Sequence, residues 1–461
     1  MADQVEGEPT AGFPSDDAAR AARDDADFQR AVVAYRFWYP TVSAEGIFNG
    51  NREIGIADNE AIGIAFCGPR QVGFTLNSDT PYGSAALDLS AGPIVIELPA
   101  GPYIGLVNDH HQRWITDMGI PGPDAGAGGK YVITPPGFAG TIPADCHAAA
   151  SATLKVLLAV RAMPVGGDVE AALQSLRSIT IHPLNSGTPL DVVDITDDRI
   201  DSTCLRWEDG IEFWRILHEV LDYEPVIDEF RPMHGLLAAL GLGKCQPFNP
   251  DRRMTRILEQ AAQQGRAQLL VSAFASTRAD RLAWNDRHWE WLGLVPADAG
   301  FETPAGIDLE ARDRWFAQAI VTSPAMFRRQ VGGGSLYWLA ARDAAGEFLD
   351  GSKCYTLTLP LPVPATLFWS VTIYDAQTRS QVQADQDKAA LRSLFELSST
   401  TAETGSTTLY FGPHEHDNGT DRWLQTVPGR GWFAYIRIYG PEQDAFDGQW
   451  RPGDLTADPY Q

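Results

Sequence analysis

The 461 residues are more than one hydrophobic core usually fills, and 44% hydrophobic with 10% aromatic residues excludes a disordered chain. A formal net charge of -24, from 36 basic against 60 acidic residues with no Lys/Arg run, repels phosphate backbones and anionic lipid, so neither nucleic acid nor membrane is expected as a partner. Met1–Arg30 lacks a basic start followed by an apolar run, and no later stretch reaches the roughly 18 apolar residues that span a bilayer, which predicts a cytoplasmic protein.

From Asp16 to Phe48 the chain begins acidic and turns strongly apolar (Ala31, Val32, Tyr35, Phe37, Trp38, Tyr39), which predicts an N-terminal unit, 1–50, of a surface arm and a helix stopping at Pro40. Short apolar runs punctuated by Gly and Pro then predict an antiparallel β lobe over 51–167. Its strands are expected at Gly73–Leu76, Ser84–Leu89, Ile94–Leu98, Tyr103–His111, Tyr131–Thr134 and Thr153–Ala162. Over 168–330 apolar residues recur at spacings of three and four (Ile211, Trp214, Leu217, Leu221; Met254, Ile257, Leu258, Ala261), and prolines divide this helical region into segments of ordinary length. A second β lobe, 331–461, follows. Its strands are expected at Leu336–Ala340, Tyr355–Leu359, Leu367–Tyr374, Thr408–Phe411 and Trp432–Tyr439, with a short helix at Ala389–Leu397. The fold class is α+β: two antiparallel β lobes joined by a mostly helical middle region.

Chemistry-bearing side chains gather in two places in the first lobe. Asn77-Ser78-Asp79-Thr80-Pro81-Tyr82 combines residues that bond their own backbone with a proline that holds Thr80 extended. An Asx turn explains much of it, while Asn77, Asp79 and Tyr82 are also candidate pocket groups, since loops held by a sheet carry function. In Asn108-Asp109-His110-His111-Gln112-Arg113-Trp114, strand alternation puts Asp109, His111 and Arg113 on one face. An oriented Asp109–His111 base with Arg113 as anion anchor and Trp114 as apolar wall is the catalytic candidate; a plain polar network at a strand end is the alternative. In the second lobe Phe433, Tyr435, Arg437 and Tyr439 share a face, so Arg437 and Tyr439, with Trp369 on a neighbouring strand, are candidate ligand-binding residues beside the simpler reading of core packing.

No metal site is expected, because the adjacent His110 and His111 diverge on a strand, and His414-Glu415-His416-Asp417 reads as a surface loop without a third ligand. His218 continues an apolar helix face and reads as a packing residue. Gly332-Gly333-Gly334-Ser335 precedes a strand and reads as a hinge rather than a phosphate loop, and no cofactor fingerprint is present. Five scattered cysteines (Cys67, Cys146, Cys204, Cys245, Cys354) read as reduced thiols.

Asn77-Ser78-Asp79-Thr80-Pro81-Tyr82, followed by Leu87-Asp88-Leu89 and Gly92-Pro93, resembles the opening signature of the bacterial family of domain of unknown function 1254. Phe368-Trp369-Ser370-Val371-Thr372-Ile373-Tyr374-Asp375, Arg437-Ile438-Tyr439-Gly440-Pro441 and Gly448-Gln449-Trp450 resemble its usual partner, domain of unknown function 1214. The resemblance implies two β-sandwich-like lobes around a helical section and carries no established reaction. The long helical insert and the Asn108–Trp114 stretch depart from common members. The leading expectation is an enzyme acting on a small organic molecule by cofactor-free acid–base chemistry, hydrolysis or elimination. The alternatives are a noncatalytic carbohydrate- or small-ligand-binding protein and a metal-dependent enzyme with ligands from distant segments. A small-molecule ligand is the expected partner, and homo-oligomerisation is left open.

Overall fold

The computed structural model describes residues 12–201, 205–294, 299–399, 404–415 and 420–458. Period-two alternation folds each β lobe into a pair of facing sheets. In the first lobe, strands Asp191–Asp194, Ala61–Ala65, Tyr82–Asp88, Lys155–Ala162, Tyr103–Asp109 and Trp114–Gly119 lie side by side in that order. The facing sheet runs Thr180–Pro183, Ile94–Leu98, Gly129–Thr134, Cys146–Ala150. Ile62, Ala85, Leu87, Leu158 and Val160 meet Ile96, Tyr131 and Ile133 between the sheets, and Leu173 and Leu176 of helix Val169–Arg177 close one side.

The second lobe repeats the arrangement. Strands Glu290–Trp291, Ser335–Ala340, Trp432–Pro441, Ala365–Asp375 and Ala390–Arg392 form one sheet, and Trp423–Gln425, Gly405–Gly412, Tyr355–Leu361 and Thr456–Ala457 the other. Trp432, Ala434, Ile436 and Ile438 point into this lobe's core with Trp338 and Trp369. The opposite parity, Phe433, Tyr435, Arg437 and Tyr439, therefore faces away from that core, toward the first lobe and the helices.

A third core lies among helices Asp16–Glu53, Ile211–Tyr223, Arg231–Ala239, Arg252–Phe274 and Leu309–Phe316, built on Tyr35, Trp38, Phe213, Trp214, Leu258 and Trp315. Helix Arg252–Phe274 approaches helix Asp16–Glu53 at Gly265, where an added Cβ would stand 2.4 Å from the Tyr35 ring. Only glycine allows that contact. No helix among the described residues is long and apolar enough to cross a membrane.

Local expectation and structure part at four places. The first helix runs through Pro40 to Glu53 instead of stopping. Proline lacks the N–H that would bond the carbonyl four residues back. Arg312 supplies the missing donors, reaching the Arg36 carbonyl at 3.2 Å and that of Phe37 at 2.7 Å. Residues 168–330 are not helical throughout: Thr180–Pro183 and Asp191–Asp194 pair with Ile94–Leu98 and Ala61–Ala65, so the first lobe reaches past residue 167. Strands of four residues are too short to establish a period. Ala389–Leu397 holds a strand, Ala390–Arg392, followed by turns, because Leu391 and Ala390 complete the sheet opposite Val371 and Thr372 and pairing overrides helix propensity. Gly73–Leu76 is a loop whose carbonyls bond side chains of the second lobe, not a ladder. Cys67, Cys146, Cys245 and Cys354 are free. Cys204, His416 and Asp417 lie outside the described residues.

Candidate functional site

Asn77 makes the turn that the sequence indicates. Its Oδ1 accepts the backbone N–H groups of Asp79, at 2.8 Å, and Thr80, at 3.1 Å, while its Nδ2 donates to the Tyr82 hydroxyl. The preceding loop leaves the first lobe and lies against the second. Thr75 N–H donates to the Arg379 carbonyl at 2.8 Å, Tyr374 Oη donates to the Leu76 carbonyl at 2.8 Å, and Ser78 Oγ donates to Gln381 Oε1 at 2.8 Å. This clasp brings Asn77 and Tyr82 up to the arginine-bearing strand Trp432–Pro441.

Between the lobes lies a cavity of about 330 Å³. Most of its wall is apolar, including Ile104, Leu106, Leu157, Ala319, Val321 and Met326. Its ionised lining is the reverse of the whole chain: three arginines, Arg161, Arg328 and Arg437, against one aspartate, Asp117.

Arg437 sits opposite Tyr337 and Ser370 in the sheet register and is 2% exposed. Its Nη2 donates to the Thr75 carbonyl at 2.9 Å, while Nε and Nη1 are buried without a hydrogen-bond partner. The rings of Tyr435, Tyr374 and Tyr337 stand 5.1, 5.4 and 5.8 Å from the guanidinium, close enough for cation–π attraction. Behind it the buried Asp79 carboxylate accepts hydrogen bonds through Oδ2 from Ser370 Oγ at 2.8 Å and Tyr439 Oη at 2.9 Å. Burial first, and then the Asp79 charge, push the Tyr439 phenol well above the usual tyrosine range, so it stays a donor.

Arg161, on strand Lys155–Ala162, stands opposite Tyr82 and Ile104 and hydrogen-bonds Tyr337. Among the described residues neither Arg161 nor Arg437 has a carboxylate in ion-pair range. Other buried arginines do: Arg314 pairs with Glu290 at 2.8 Å and Arg379 with Glu208. Two guanidiniums on a mostly apolar wall, with two nitrogens of Arg437 unpartnered, are chemically able to accept an anion. At the Asp117 part of the wall, burial raises the carboxyl pKa above the usual aspartate value against the opposing hydrogen bonds of Ser323 and Trp114 and the Arg328 charge. Such a group can hold or release a proton nearer neutrality.

Of the residues singled out from the sequence, Asn77, Tyr82 and Arg437 line this cavity, and Asp79 and Tyr439 stand directly behind it. The expected catalytic trio does not assemble. The chain turns sharply at Gln112, with φ 58°, and Asp109 is consumed by that turn: Oδ1 accepts the backbone N–H groups of His111 and Arg113, and Oδ2 accepts Arg113 Nε, at 2.8 to 2.9 Å. The His111 ring bonds Thr41 Oγ1 at 2.8 Å and packs against Trp38 and Phe230, and none of the three residues lines the cavity. Alternation fails here because the strand ends at Asp109. Trp114 is 43% exposed and bonds Asp117, while Trp369 is buried in the second lobe's core, its parity opposite to Phe368 and Ser370. His110 instead joins Glu224, at 2.8 Å, and Glu45, at 3.0 Å, in a buried brace. Among the described residues no group of three or more His, Cys, Asp or Glu side chains converges as a metal set.

Arg161 and Asp117 escape a sequence reading because each is a lone charge in an ordinary strand. The available signal was parity: in Val156–Ala162, Arg161 shares a face with Ala159 and Leu157, opposite the core residues Val156, Leu158 and Val160.

Residues 66–183 match the family model described as protein of unknown function (DUF1254), and residues 334–443 match protein of unknown function (DUF1214). No curated protein matches the chain. Among solved structures, the VPA0106 protein from Vibrio parahaemolyticus superposes with a TM-score of 0.58 at 17% identity, covering 94% of this chain and 100% of its own, which shows a shared fold. An uncharacterized protein from Burkholderia cenocepacia is more distant, with a TM-score of 0.39 at 13% identity over 96% of both chains.

Proposed function

For this chain, which pairs an N-terminal DUF1254 domain with a C-terminal DUF1214 domain, we propose binding of a small organic anion in the cavity between the two lobes. The observation that carries the reading is Arg437: a buried guanidinium facing the cavity with two of its nitrogens unpartnered. A buried donor left unmade costs about 1–3 kcal/mol, more when charged, and an anionic ligand removes that cost. Thermal-shift measurement over a panel of carboxylic acids and their neutral amides tests it. Acids should raise the melting temperature of the wild type and not of Arg437→Met, and a panel in which amides stabilise as well as acids would refute it.

A second reading, acid–base turnover of the bound molecule, is favoured by Asp117, whose carboxyl lines the same cavity with a raised pKa. It predicts that Asp117→Asn keeps ligand binding and loses conversion by about 100-fold or more. Product formation followed by NMR separates this from simple binding.

A further inference from the structure

Taking the anion-binding cavity as its basis, we infer that the ligand is a singly charged organic acid with an apolar body of roughly ten non-hydrogen atoms, gripped from both lobes by Arg161 and Arg437. The charge follows from a count of the groups at the cavity. Arg328 is exposed at the cavity's edge, where its charge acts on Asp117 without an ion pair between them, which leaves Arg161 and Arg437 on one side and Asp79 on the other, so one positive charge is unmatched. A monoanion cancels it, whereas a dianion would bring a surplus negative charge into an apolar space. The size follows from the cavity: about 330 Å³ lies at the small end of the roughly 300–1,000 Å³ of small-molecule sites. The apolar body follows from the walls, where Ile104, Leu106, Leu157, Val321 and Met326 offer no hydrogen bond to a polar chain. Tyr82 stands opposite Arg161 in register and Tyr337 hydrogen-bonds it, while the rings of Tyr337 and Tyr435 flank Arg437, and the planar fork of a guanidinium matches a planar carboxylate.

Calorimetric titration with decanoate, decanamide, decanedioate and inorganic phosphate tests this on the full chain. Decanoate should bind, with decanamide and decanedioate each weaker by tenfold or more and phosphate weaker still. Arg161→Met and Arg437→Met should each weaken decanoate at least tenfold while leaving decanamide unchanged. Arg161→Lys, which keeps the charge, should recover part of the loss and guards against a folding defect in Arg161→Met. Tighter binding of decanedioate or phosphate that still depends on Arg437 would overturn the ligand class and leave the anion cavity standing. Decanoate binding unaffected by Arg161→Met would overturn the two-lobe grip. Failure of every probe to bind, or binding indifferent to Arg437, would overturn the class and the cavity reading together.

Discussion

Adjacent residues in one chain can respond to protons in opposite ways, and His110 and His111 do so. Burial disfavours charge on His110, but its hydrogen bonds to the Glu224 and Glu45 carboxylates outweigh it and raise its pKa above the ordinary 6.5. Its contribution is therefore full below about pH 6.5 and lost as pH rises through the folded-state value. His111 is buried beside positive neighbours, His110 and Arg113, and its pKa falls well below 6.5. The unfolded chain then takes the proton first, and this residue costs stability as pH falls below about 6.5. Thermal melts between about pH 5 and 9 should show His110→Gln losing most at the acid end, about 3–5 kcal/mol, because the buried Glu224 carboxylate loses its cation while Glu45 keeps Arg52. His111→Gln should flatten the acid side of the profile relative to wild type. Identical profiles for the two variants would contradict the assignment. The dipeptide was visible in the sequence as two imidazoles on opposite faces; that one is an ion-pair hub and the other a neutral packing group depended on Glu45 and Glu224, far away in the chain.

At the scale of elements, the long first helix crosses a proline because a distant arginine covers its exposed carbonyls. Arg312→Ala should cost roughly 1–3 kcal/mol, as a buried acceptor loses its donor. In a Pro40→Ala background the helix regains its own N–H, and the same substitution should cost clearly less. Denaturant midpoints of the four chains give the coupling directly, and strict additivity would contradict it. Apolar runs and strands with a shared-face pattern were legible in the sequence: Ile94–Leu98 lies where its apolar run lies, and the parity of Phe433, Tyr435, Arg437 and Tyr439 is the parity that meets the first lobe. The Asn77–Tyr82 turn was legible for the same reason, since its chemistry is local. What stayed hidden depended on partners elsewhere: the edge strand Ala390–Arg392, the continuation past Pro40, and the opposition of Arg161 to Arg437 across two lobes.

Over the whole molecule, the lobes share polar contacts as buried as any within them. Glu208 ties Arg379 of the second lobe to Tyr39 and Arg266 of two helices, and the Gly73–Thr80 loop of the first lobe is bonded to Arg379, Gln381 and Tyr374 of the second. Because neither lobe satisfies these groups alone, unfolding is expected as one transition. Calorimetry should give a single peak whose van't Hoff and calorimetric enthalpies agree, and Glu208→Gln should lower stability by about 3–5 kcal/mol without splitting that peak. Two resolved peaks in the wild type would refute the coupling.

The same clasp makes the chain a candidate for fragment complementation. A break near Gly332–Gly334, ahead of strand Ser335–Ala340, leaves the loop on one fragment and its hydrogen-bond partners Tyr374, Gln381 and Arg437 on the other. Each piece then carries half of a template, including one of the two cavity arginines, so the pieces should reassemble when mixed. An acid that spans Arg161 and Arg437 would act as the glue between them, turning reassembly into a readout of its concentration.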